Sequence, residues 1–363
     1  MKTRASAQPC HPVLPPSGAA LARARRMRVF AGAARKNTAR APRIVIVLVA
    51  FSVLAFVVGA IVWPRISARR AWSELQPNIV PTEGVHGPGF DERIAACAAR
   101  LVNWPPDRTA LVEFTLLGHA NGQLDAAVRG YEALMRLEPR EPRWPHLLAT
   151  IHAGYGRLGD ALPLLRRTVQ LAPENGVAWL HLGDALLKTD ALPDAEKAYD
   201  SALRCDAENP FALLGLARCS IESERWTAAR VFLQRAVARD ADFAPAQYLL
   251  ATVHERLGNT GAAEIARERA QHGLAPGAPV DAWLDELTPY CHDVYRLLVQ
   301  ASMDLGAGSR RRALVSLERA LAVDADDPRI RAWLEKTLKR GGGAPVLGEF
   351  QKIYDRRFGV ASP

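Results

Sequence analysis

Alanine recurs every 34 residues, at Ala127, Ala161, Ala195, Ala229 and Ala263. Three further columns keep the same step: small residues at Thr115, Ala149, Gly183, Ala217 and Ala251; large apolar residues at Phe114, Leu148, Leu182, Leu216 and Leu250; and a fourth set at Leu134, Thr168, Ala202, Ala236 and Ala270. Four columns in register over five consecutive units constrain the fold more tightly than any average of composition, because a fixed period of this length marks a repeat architecture. Within a unit the apolar residues sit three and four apart, as in Leu180, Leu182, Ala185 and Leu186, which is helical rather than strand spacing. Each unit therefore reads as a helix–turn–helix. Small residues near mid-helix let paired backbones approach, and the larger apolar ones fill the gaps between neighbours. Turns fall at Gly122, Gly156, Gly159 and Asp190, and Pro139 and Pro173 punctuate the ends of second helices. After an interruption the pattern resumes with Ala301, Ala313 and Ala320, so a sixth unit fits residues 294–327.

The stretch from Asn175 to Pro210, NGVAWLHLGDALLKTDALPDAEKAYDSALRCDAENP, resembles a tetratricopeptide repeat. Trp179, Leu182, Gly183, Ala195, Tyr199 and Ala202 stand where that family keeps its signature residues, whereas Arg267, Ala207 and Ala241 depart from its pattern. The resemblance implies an all-α fold: an α-solenoid of about six helix–turn–helix units closed by a C-terminal capping helix. It also implies that first helices line a concave surface that holds a segment of a partner protein. Carried through the repeat register, that surface takes Val112, Leu116, Arg143, His146, Val177, Leu180, Asp184, Phe211, Leu214, Arg218, Tyr248, Tyr295 and Leu298. Apolar anchors with a polar rim suit a polypeptide partner. The basic-and-asparagine clamp by which some family members grip acidic C-terminal peptides is not reproduced.

A second feature sits upstream. Ile44 to Trp63 is a run of twenty residues without a charge, IVIVLVAFSVLAFVVGAIVW, which as a helix spans roughly 30 Å, the thickness of a bilayer core. Trp63 suits the headgroup layer and Pro64 ends the helix. The run is longer than the apolar region of a cleaved leader and is followed by no small-x-small site, so a permanent transmembrane helix is expected. Ten Lys and Arg and no acidic residue precede it, and the remaining 37 basic residues face 38 acidic ones. The overall charge of +9 is thus a property of the tail, and the repeats carry no net basic field for nucleic acid. The twenty residues before the span hold seven Lys or Arg and the twenty after it three, so the basic flank is expected to stay in the cytoplasm. In a bacterium this makes a single-pass inner-membrane protein with periplasmic repeats.

The domain order expected is a basic cytoplasmic tail over 1–43, the span at 44–63, a stalk and N-terminal capping helix over 64–107, and five units over 108–277. An insertion at 278–293, a sixth unit with its capping helix at 294–340 and a flexible tail at 341–363 complete it. Leu347, Phe350, Ile353, Tyr354 and Phe358 in that tail stand at helical spacing, which leaves a recognition helix or a segment folded into the groove open beside disorder. The insertion reads either as an extra helix patched over the stack or as a loop presenting Trp283 and Tyr290 to a partner.

Chemistry is hard to find. The five cysteines form no CxxC or haem-attachment spacing, and Cys205 and Cys219 are either core fillers or a disulfide between neighbouring helices. His119, His146 and His152 lack the i,i+4 spacing of a metal-binding helix with a third ligand, so no metal is expected. There is no GxSxG, phosphate-binding GxxxxGK[ST], HExxH or dinucleotide turn. The expectation is a non-enzymatic scaffold or assembly factor without cofactor, small-molecule substrate or nucleic acid, whose partners are other proteins and, through 44–63, the bilayer. The alternative is a docking or regulatory subunit of a membrane-associated enzyme.

Overall fold

The repeat pattern becomes helical hairpins in the computed structural model, which describes residues 89–101, 107–272, 279–306, 308–340 and 348–359. The expected transmembrane span at 44–63 lies outside the described residues, and among those described no helix is long and apolar enough to cross a membrane. The described part is all-α, with no strand. Helix α1 (Phe90–Leu101) precedes five hairpins: α2 (Arg108–Ala120) with α3 (Leu124–Leu137), α4 (Arg143–Gly154) with α5 (Leu158–Leu171), α6 (Gly176–Lys188) with α7 (Leu192–Cys205), α8 (Pro210–Glu222) with α9 (Trp226–Arg239), and α10 (Ala244–Arg256) with α11 (Thr260–His272). Each helix packs chiefly on its neighbours in sequence, as a solenoid requires.

The sequence columns are the packing surface. Ala127, Ala161, Ala195 and Ala229 are completely buried, as are Thr115, Ala149 and Ala217. The reason for smallness shows around Tyr199, whose ring lies between α6 and α8. A Cβ added at Gly183 would stand 2.6 Å from its Cε1, and one at Gly215 2.3 Å. The buried hydroxyl is satisfied by donating to Asp184 Oδ1 at 2.7 Å. Asp107, Asn175 and Asn209 cap first helices by accepting backbone N–H groups with their side-chain oxygens. The hairpin turns also repeat every 34 residues, at Gly122, Gly156, Asp190, Glu224 and Gly258, each with positive φ. At Asp190 and Glu224 a side chain tolerates the left-handed conformation that the turn demands.

Beyond α11 the chain departs from a simple stack. A short helix, α12 (Ala282–Asp285), and a 3-10 turn (Thr288–Tyr290) lead into α13 (Val294–Gly306) and α14 (Arg310–Val323). This sixth hairpin does not extend the stack by packing on α11. The 3-10 turn rests on α2 and α14, and Ala120 at the end of α2 packs against the apolar cluster built by α13 and α14. The last helices, α15 (Pro328–Arg340) and α16 (Gly348–Phe358), pack on each other, with Ile330, Leu334 and Phe350 buried in that same cluster. α15 begins 34 residues after α13, so it is in register as the first helix of a further pair. Of the readings open for the tail after residue 341, a helix is the one the described residues 348–358 adopt. Residues 348–358 form a helix because Phe350, Ile353, Tyr354 and Phe358 share one face and find an apolar partner in α15.

Candidate functional site

The first helices α2, α4 and α6 present one side to the segment 279–293, which lies along them against the order of the stack. Asp281 reaches α4 and α6, with its Oδ2 2.6 Å from His146 Nε2 and 3.3 Å from His181 Nε2. Its Oδ1 accepts the N–H groups of Trp283 and Leu284, capping α12. Trp283, Leu284, Leu287 and Tyr290 then pack on the apolar cluster of α1 to α4, and Trp283 meets the His146 ring edge-on at 4.9 Å between centroids. Arg143 bridges Glu141 and Glu286 at 3.0 and 3.1 Å. At the far end Asn121 donates to the Tyr290 carbonyl and accepts from His292 N–H, and His292 reaches Arg93 of α1. Arg312 and Arg319 of α14 tie the same segment to the sixth hairpin, through Asp285 and the Cys291 carbonyl. A stretch of polypeptide thus lies where a repeat array would hold a partner. It is this chain's own.

The thirteen groove residues differ in exposure and in what covers them. Leu116, Leu180, Leu214 and Leu298 are at most 5 % exposed and belong to the packing between helices. His146 is fully buried, and Arg143 is engaged by the insertion. Val112 is half-buried at the insertion's cluster, Val177 is half-buried, and Phe211 packs edge-on against Phe243 at 5.4 Å. Arg218 and Tyr248 stand open on α8 and α10, Tyr248 at 65 % exposure, and exposed Asp184 on α6 accepts from Tyr199. Tyr295 is 61 % exposed on α13, which belongs to the sixth hairpin. The insertion's bonds reach α1, α2, α4, α6, α13 and α14, and among the described residues none reaches α8 or α10. The repeat register did not single out Asp281, Asn121 or His181, because their role comes from a contact a hundred or more residues away in sequence. The aromatic residues of the insertion were its visible signal.

Electrostatics follow from burial. Burial lowers the His146 pKa below the ordinary imidazole value, opposed by the hydrogen bond and charge of Asp281. Burial would raise the Asp281 carboxyl, but hydrogen bonds from His146 and His181 outweigh it and hold the carboxyl well below its usual range. His119, at the α2–α3 turn, falls to about 4, through burial and then the nearby Arg296 charge, while its Nδ1 lies 2.9 Å from Tyr131 Oη. Cys97, Cys205, Cys219 and Cys291 are all free thiols, so Cys205 and Cys219 do not pair. Burial pushes Cys97 and Cys219 up to about 11, away from nucleophilic use at neutral pH.

Two models of the tetratricopeptide repeat match the sequence, over residues 146–210 and 197–253. The likeness to that family is therefore carried by residues 146–253. Solved structures similar to this chain include MamA, at 20 % identity and a TM-score of 0.40, covering 42 % of this chain and 88 % of that one. YrrB, described as a tetratricopeptide repeat protein with an unusual peptide-binding site, is similar at 16 % identity and a TM-score of 0.36, covering 55 % of this chain and 95 % of that one. A tetratricopeptide repeat protein from Parabacteroides merdae shares 15 % identity with a TM-score of 0.45, over 68 % of this chain and 90 % of its own. No curated protein matches the chain. The matched repeats span α4 to α10, so they include the histidines that meet Asp281 and the open first-helix face that follows them.

Proposed function

We propose that this chain is a non-enzymatic protein-interaction scaffold or assembly factor of a bacterial envelope. Residues 44–63 hold it in the inner membrane, the basic tail stays in the cytoplasm, and the repeats face the periplasm. The observation that carries the binding reading is the first-helix face of α8 and α10. It continues the surface filled by residues 281–292 yet stays uncovered, with Tyr248 and Arg218 exposed on it. An aromatic ring and a guanidinium on a rigid helical face are the side chains that most often anchor a polypeptide. The helices hold those groups in place before binding, so little entropy is lost on capture.

Two experiments test the reading. Fusing alkaline phosphatase after Pro363 gives an active reporter if the repeats lie outside the cytoplasm, and an inactive one contradicts that placement. Crosslinking the full-length chain in membranes is expected to capture protein partners that are lost on changing Tyr248 and Arg218 to Ala. Capture that survives both changes contradicts the assignment of the face.

A further inference from the structure

We propose that His146, His181 and Asp281 form a binding site for a divalent transition metal of zinc type, which staples the insertion to the repeats. The three side chains come from three separate elements, α4, α6 and the segment before α12. They offer one donor atom each, and those atoms all lie within 4.8 Å of one another. Two of the separations, 2.6 and 3.3 Å, meet at a single carboxylate oxygen. Metal–nitrogen and metal–oxygen bonds of about 2.0–2.2 Å set tetrahedral donor spacings of roughly 3.3–3.6 Å, so an ion at the centre requires the His146–Asp281 contact to open by about 1 Å or less.

The chemistry of the donors agrees. Two imidazoles and a carboxylate suit zinc and its neighbours in the first transition row better than calcium or magnesium, which prefer all-oxygen shells. The trio carries one formal negative charge when both rings are neutral, matched to a dication. The carboxylate is already oriented, because its other oxygen is held by the N–H groups of Trp283 and Leu284. His146 and Asp281 are 0 and 5 % exposed, whereas the His181 side chain is 30 % exposed, which leaves one side of the site open to a water or exchangeable fourth ligand. Metal at both Nε2 atoms requires the Nδ1–H tautomer of each ring. For His146 that proton meets no acceptor, a cost the metal bonds have to exceed.

The function assigned to the open face does not depend on this site. The test uses full-length protein in detergent, stripped of metal and titrated with ZnCl₂ by calorimetry and with CoCl₂ by visible absorption. The expected result is one equivalent bound, with the intense d–d bands of tetrahedral cobalt. His181→Ala and Asp281→Asn each weaken binding at least tenfold at unchanged helix content, and His181→Cys restores it with added sulfur-to-cobalt charge-transfer bands. Failure of the wild-type chain to bind cobalt overturns the proposal. Binding equally strong in His181→Ala and Asp281→Asn overturns it too, since the ion then sits elsewhere.

Discussion

Tyr199 is gripped by two glycines, and its ring shows why the repeat tolerates so little change at those positions. In Gly183→Ala the added Cβ must displace an aromatic ring that is itself fully buried, so the chain is expected to lose about 1–3 kcal/mol of stability, read from the urea midpoint. His119 supplies a pH dependence with a definite sign. Its pKa is about 4 when folded, against an ordinary value of 6.5, so the unfolded chain binds the proton more readily. Its contribution is complete above pH 6.5, falls as pH drops from 6.5 towards 4, and then levels off, a loss on the order of 3 kcal/mol at most. His146, His152 and His254 are shifted in the same direction. Urea midpoints measured from pH 7 to 4 should therefore decline, and less steeply in His119→Phe. A flat profile rules out the buried neutral imidazole.

At the scale of elements, what was legible in the sequence was what repeats. The columns at Ala127, Ala161, Ala195 and Ala229 became buried seams, and the Gly and Asp turns recur at the same period with positive φ. The continuation after residue 278 was not legible. Periodicity reports which face of a helix is covered, not which helix covers it, and Ala301, Ala313 and Ala320 serve equally well in a hairpin that leaves the stack. Its new neighbours are fixed by single contacts such as Asn121 to Tyr290 and Arg312 to Asp285, which have no period to reveal them. The candidate groove was legible in the same partial way. Register placed Leu116, Leu180 and Leu214 on first helices, but a helix face also packs sideways, and these three are buried there. The insertion is held by a small apolar set, so placing charge in it should release it. The double variant Leu284→Asp with Leu287→Asp is expected to make residues 279–293 the first site of limited proteolysis while leaving helix content unchanged. Protection equal to wild type contradicts the packing of this segment on α1 to α4.

At the scale of the whole molecule, the proposed function needs a rigid face of first helices open to a polypeptide. The chain's own segment fills the part over α2, α4 and α6, and the part over α8 and α10 stays free. Exposed apolar side chains on second helices provide the internal control, since Val231 on α9 and Ile265 on α11 are 52 and 54 % exposed, comparable with Tyr248 at 65 %. If stickiness alone drove association, all three would capture partners alike. The decisive measurement places a photo-crosslinking residue at Tyr248, Arg218, Val231 or Ile265 of the full-length chain in cells. Discrete protein adducts are expected from Tyr248 and Arg218 and none from Val231 or Ile265. Adducts from the second helices with none from Tyr248 and Arg218 would contradict the proposed function.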